Sequence, residues 1–170
     1  MTINYKLDAQ YELRKFLWSQ LVGAGIFKEK DYYSDNLSET VIPVLPVQQS
    51  PEMNQFLSGK KHIVYDKIGI AYEDNWMICT EQFLYTVYAT SVTEINEIRN
   101  LMIDLFRRMD DSARDVNYWD GLSDKFKFYS IYINDISPTA PSEDLQGFFA
   151  TDIIIEAKYS RILDNIGRFA

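Results

Sequence analysis

Few residues in this chain of 170 have the types and spacing that chemistry demands. His62 is the sole histidine, which removes the usual general base, the Ser-His-Asp constellation and most zinc sites at once. It follows Lys60 and Lys61 where a strand is expected to begin. Asp110, Asp111 and Asp115 cluster after a long amphipathic stretch, with Asp111 and Asp115 on one helical face. Paired carboxylates can hold a divalent ion. Arg107, Arg108 and Arg114 interleave with them, so mutual salt bridging on a solvated face is the simpler account. Gly23-Ala24-Gly25 follows an expected helix, whereas a dinucleotide fingerprint follows a strand and opens a helix, so a helix stop is the reading. Asn36-Leu37-Ser38 is a formal glycosylation sequon, which has no meaning without secretion. These residues assign no catalytic group, no cofactor and no metal.

The aromatic residues in polar stretches point elsewhere. Tyr32 and Tyr33 lie in the connector 28–40, and Tyr118 and Trp119 in the polar stretch 110–124. One exposed ring needs no explanation, but several suggest contact with another chain. The loop 137–147, SPTAPSEDLQG, is a second place for such contacts. An interaction surface is therefore expected in preference to an active site.

These residues need elements to position them. Residues 76–117 form the centre of the pattern. From 77 to 88 the types are aromatic and β-branched, with Glu81, Phe83, Tyr85, Val87 and Ala89 on one face of a strand. The period then changes. Val92, Ile95, Ile98, Leu101, Met102, Leu105, Phe106 and Met109 recur at three- and four-residue spacing and form one helical stripe. Ser91 with Glu94 is a capping-box pattern at its start.

On either side, a first helix is expected over 7–22, with Asp8 as N-cap and Gly23 and Gly25 as its stop. Residues 41–48 are extended and apolar, but Pro43 and Pro46 confine them to an edge. Residues 50–61 read as a loop with one helical turn, 62–72 as a strand, and 126–136 and 148–159 as the last two strands. Residues 160–170 form a short tail. The expected order is α-β-β-β-α-β-β in a single α+β domain over 1–170. Short connections favour a mainly antiparallel sheet of about five strands, with two helices packed on one face.

Composition sets outer bounds. A hydrophobic fraction of 46% and an aromatic fraction of 15% belong to a globular chain with a substantial core. The net charge of −8 opposes tight binding to phosphate backbones. Cys79 is the one cysteine, so no intrachain disulfide forms, and burial in its strand is expected. The first residues lack the apolar run of a signal peptide, and no stretch approaches the roughly 18 apolar residues of a membrane span. A reducing cytoplasm is the expected site of synthesis.

The segment IPVLPVQQSPEMNQF, followed by HIVYDKIGIAY, a polar turn and WMICTEQFLYTVYATSVTEINEIRNLMIDLFRRMDDSARDVN, resembles the tail terminator (tail completion) proteins of tailed bacteriophages. The resemblance runs from the first helix to the last strand and rests on apolar positions and a proline-rich edge. It implies a non-enzymatic structural protein of the virion tail or neck, assembled in the host cytoplasm. Such a protein forms a ring, typically a hexamer, that stops tube polymerisation. Its implied partners are tail tube or sheath subunits and head-connector or neck proteins, with genomic DNA passing through without specific binding and no membrane. Ring formation requires two different adhesive patches per subunit. On this reading Tyr32, Tyr33, Tyr118, Trp119 and Leu145 are the expected interface residues. Two rivals stand beside it: a small-ligand-binding or regulatory α+β domain, and an enzyme built on carboxylates such as Asp111 and Asp115.

Overall fold

The computed structural model describes residues 9–72 and 78–161. In chain order the elements are α1 (Ala9–Gly23), a 3-10 turn (Glu29–Tyr32), β1 (Tyr33–Ser34), β2 (Glu39–Thr40), β3 (Val44–Pro46) and α2 (Pro51–Phe56). They continue with β4 (His62–Tyr72), β5 (Ile78–Ala89), α3 (Val92–Phe106), α4 (Asp110–Tyr118), β6 (Phe126–Ile136), β7 (Ala140–Pro141) and β8 (Phe149–Arg161). The main sheet has six strands in the order β3-β4-β5-β8-β6, with β7 also on β8, and β1 and β2 form a separate pair.

This corrects the expected architecture of about five strands and two helices in the order α-β-β-β-α-β-β. Among the described residues there are eight strands in two sheets and four α-helices. The extra elements are short, and their signals are local. In α2, Ser50 accepts a hydrogen bond from the Met53 N–H at 3.2 Å and Pro51 opens the helix, so a cap and a proline make six residues helical. In α4, acidic residues stand at the first turn and small or apolar Ser112, Ala113 and Val116 are buried on one side of an otherwise charged helix. β3 lies at the sheet edge and runs parallel to β4, pairing Val44–Pro46 with Ile63–Tyr65. The other neighbouring pairs of the main sheet are antiparallel.

Alternation along β5 and β8 decides which face is buried. Phe83 stands opposite Ile155 and Tyr85 opposite Ile153, and all four are buried. Onto this face α3 lays Ile95, Ile98, Met102 and Phe106, and α1 lays Leu13, Phe16, Leu17 and Leu21. The two helices meet at Phe16 and Phe106, whose ring centroids are 6.2 Å apart. Each such buried side chain contributes about 1.5–3 kcal/mol, so this layer is the main source of stability.

Helix ends follow from their caps. The Ser91 hydroxyl accepts the Glu94 N–H at 3.3 Å and donates to the Glu94 carboxylate at 3.2 Å, holding the start of α3. The expected stop of α1 is present: Gly25 takes a φ of +75°, and the Ile26 N–H returns to the Leu21 carbonyl at 3.1 Å. Asp8, expected as the cap of α1, and Met77, at the expected start of the central strand, lie outside the described residues. Met109 departs from its expected place on the α3 stripe. The helix ends at Phe106, and Met109 stands in a corner with φ 53° and a side chain 54% exposed.

The two buried carboxylates on the core side are paired. The Glu81 carboxylate, 2% exposed, accepts from the Tyr159 hydroxyl and lies 4.0 Å from the Lys67 ammonium. Glu12, 1% exposed, accepts from the Ser123 N–H at 3.0 Å and from Lys15 at 3.1 Å, tying α1 to the turn before β6.

The outer edge of β6 is closed by side chain and backbone from α4 and its approach. Asn117 accepts from the Phe128 N–H at 2.9 Å and donates to the Phe128 carbonyl at 2.8 Å. The Ile131 N–H donates to the Met109 carbonyl at 3.2 Å. An amide side chain thus takes the place of a neighbouring strand at Phe128. Asn117→Ala is expected to lower stability by about 1–3 kcal/mol in urea unfolding and to raise amide exchange at Phe128. Asn117→Asp, which sets a carboxylate oxygen against the Phe128 carbonyl, should cost at least as much.

Candidate functional site

The five residues expected at an interface are brought to different places. Tyr32 is buried in its own domain, where it packs on Trp18 and Phe27 with centroids 5.8 and 5.4 Å away. Its hydroxyl donates to the Lys61 carbonyl, and burial raises its pKa. It therefore presents no contact surface. Trp119 is half-buried and meets Phe16 edge-on at 5.7 Å. Gly121 folds against this indole, since a Cβ there would lie 2.3 Å from a ring atom. Tyr33 is 49% and Tyr118 80% exposed, and they belong to different elements. Leu145 is half-buried in the loop before β8, its N–H donated to Ser142 Oγ at 3.0 Å.

Tyr118 overhangs a groove between α4 and β6 with a volume of about 460 Å³. Phe126, Phe128 and Leu122 supply apolar lining, and Arg114, Lys127 and Tyr129 the polar rim. A second groove of about 420 Å³ lies on the face of the sheet turned away from α1 and α3. Val64, Leu84 and Tyr88 form its floor, Val47 one side, and residues 137–144 its wall. Its acidic lining residues are Glu143, Asp144 and Asp152. Burial, followed by the charges of Asp144 and Asp152, raises the Tyr88 pKa. A third hollow, of about 340 Å³, places Leu145 beside His62, Leu57 and Phe148.

His62 closes the end of the sheet beneath that hollow. Its ring stacks on Tyr88 at 5.3 Å, meets Phe148 edge-on at 5.9 Å, and its Nδ1 lies 2.8 Å from the Lys60 carbonyl. The carbonyl contact makes Nδ1 the protonated nitrogen of the neutral ring. Burial lowers its pKa, opposed by that hydrogen bond.

The aspartates expected to bridge arginines do so. Arg114 lies 3.3 Å from Asp111, and Arg108 pairs with Asp115. Asp110 lies on the rim of the α4–β6 groove. No group of three or more His, Cys, Asp or Glu side chains suited to a metal ion occurs among the described residues. No helix among them is long and apolar enough to cross a membrane. Cys79 is fully buried.

What sequence reasoning missed is the groove on the open sheet face. Its residues come from five separate stretches, and no spacing along the chain joins them. The exposed corner at Met109 was missed for a different reason, since its apolar type continued a helical stripe that the backbone leaves three residues earlier.

The domain thus combines a six-stranded sheet, with α1 and α3 on one face, with grooves on its other face and between α4 and β6. The chain is similar to a chain of a solved structure described as "Virion of native gene transfer agent (GTA) particle", with a TM-score of 0.51 at 12% identity. The match covers 87% of this chain and 94% of that one, so the two share a fold over nearly their whole length. No protein-family model matches the sequence, and no curated protein matches it.

Two expected outcomes follow from this geometry. Trp119→Ala should cost about 2–4 kcal/mol, while Tyr118→Ala should stay within about 0.5 kcal/mol, both measured by urea unfolding. For His62 the folded pKa lies below the unfolded value of about 6.5, so the unfolded chain binds the proton more readily. Its contribution to stability is complete above that value and is lost as pH falls through the window between the unfolded and folded pKa. Unfolding midpoints of the wild type minus those of His62→Gln should therefore decline as pH is lowered from 7 toward 5.

Proposed function

We propose that this chain is a structural subunit of a phage-like virion, acting as a ring-forming tail terminator or neck protein at the head-proximal end of a tail. The observation that carries this reading is the fold shared with a chain of a gene transfer agent virion particle over 87% of this chain and 94% of the other. The resemblance of residues 42–117 to tail terminators supports the same station. The composition supports it as well: a net charge of −8 suits a lumen through which DNA slides without adhering. The exposed Tyr118 and the open grooves suit contacts with neighbouring chains.

In this role the subunits form a closed ring, a hexamer on the family pattern. One face of the ring meets the last tube or sheath subunits, and the other meets the head connector or neck. The chemistry required is adhesion at two different patches, without turnover and without a cofactor. Assembly takes place in the host cytoplasm, and the finished ring resides in the virion.

Light scattering over a concentration series, with negative-stain images of the same samples, tests this. The expected result is a species of six chains that appears as rings with a central hole, and purified tail tubes capped at one end by those rings. A tight dimer at every concentration, with no binding to tube ends, would overturn the proposal.

A further inference from the structure

Arg14, half-buried on α1, carries a charge that the described part of the chain does not match. Among the described residues no carboxylate pairs with its guanidinium and no group hydrogen-bonds it, and its Nε atom is buried. Burial lowers its pKa, and the groups that oppose the shift are the phenols of Tyr65 and Tyr11, with no carboxylate among them. Other cations are engaged. Lys15, the next residue, lies 3.1 Å from the Glu12 carboxylate and donates to the Gly121 carbonyl at 3.4 Å. Arg107, Arg108 and Arg114 each have an aspartate. A half-buried guanidinium without a counter-charge is destabilising, because neither a pair nor a hydrogen bond offsets its lost hydration.

Arg14 lines a cleft of about 340 Å³ between α1 and the stretch from β2 to α2. Val41, Ile42, Leu45 and Met53 form its apolar wall, and Thr40 adds a hydroxyl. Val41 and Leu45 are each 6% exposed and cluster with Leu57, so the wall is held from behind. Glu39 also lines the cleft, but it is exposed and is not among the groups that act on the Arg14 proton. One unmatched guanidinium beside an apolar wall suits a monoanion on an apolar body. A carboxylate meets the planar fork with paired hydrogen bonds, and Nε supplies one of the donors. A phosphate dianion would need a second unmatched cation, and the net charge of −8 opposes it.

We propose that the Arg14 cleft is a binding site for a carboxylate carried on a short apolar stem. The carboxylate pairs with Arg14, and the stem covers Val41, Leu45 and Met53. The same chemistry is offered by a small organic acid and by an acidic side chain of another polypeptide. The site does not depend on the ring reading.

The test uses the full chain, with benzoate as the free acid and acetyl-Leu-Glu-Leu-amide as the acidic side chain. Benzamide and acetyl-Leu-Gln-Leu-amide are the uncharged controls. NMR follows the Arg14 Nε–H resonance and the backbone amides of residues 40–42. At least one acid should shift them along a saturating curve with a Kd of about 1 mM or tighter, and the tighter of the two identifies the source. Each control should bind at least about tenfold more weakly than its acid. Arg14→Met, which keeps the stem and removes the charge, should abolish saturation at residues 40–42 and unfold in urea at a midpoint no lower than the wild type. Arg14→Lys, which keeps the charge without the fork, should bind more weakly than the wild type. Absence of saturation by either acid up to about 10 mM, equal binding of acids and controls, or a midpoint for Arg14→Met clearly below the wild type would each overturn the site.

Discussion

The structure depends on the antiparallel pairing of β5 with β8, which joins Ile78 to Ser160 at one end and Ala89 to Phe149 at the other without a break in register. Because side chains alternate with a period of two, this uninterrupted pairing puts Phe83, Tyr85, Val87, Ile153, Ile155, Ala157 and Tyr159 on the same side. A slip of one residue would turn all of these into water and bring Gln82, Glu156 and Lys158 inward. The flanking pairings are less regular. β4 shifts register between Lys67 and Gly69, and β6 shifts at Phe128/Ser130 and Ile133/Asp135. Irregularity is confined to the outer strands, where a bulge bends an edge without disturbing the buried layer.

From that layer the two faces of the sheet acquire different tasks. One is sealed by α1 and α3, whose aromatic contact at Phe16 and Phe106 fixes their relative placement. The other is partly roofed by residues 137–144, while the α2 region packs on Leu45 at its β3 edge. The polar positions of β5 and β8 face out there, with Thr86 donating to Asp152 at 2.7 Å and Gln82 to Glu156 at 3.0 Å. A half-polar sheet face partly roofed by a loop makes an open groove instead of an enclosed ligand chamber.

The edges are managed separately. β3 is three residues long and ends in Pro46, so it offers little to another strand. β6 is eleven residues long and would be an inviting edge, but Asn117 and Met109 occupy its central backbone groups. Such closure leaves the sheet edges little to offer an incoming strand.

The sequence by itself determined the central features of this protein. The two-residue period of 77–88 and 148–159 specified strands and their buried face, each one residue off the observed start, and the three- and four-residue spacing after Ser91 specified α3, because burial of apolar surface rewards one periodicity at a time. Gly25 as a stop, Pro43 and Pro46 as marks of an edge, and the arginine pairing of Asp111 and Asp115 were legible for equally local reasons. Tertiary structure decided the rest. It made α4 a helix by giving Ala113 and Val116 something to pack on, and it drew Tyr32 inward onto Trp18 and Phe27 while leaving Tyr118 in water. It also built the grooves and exposed Met109. Those outcomes depend on which distant segments become neighbours, and a chain with short-range spacing alone carries no record of that.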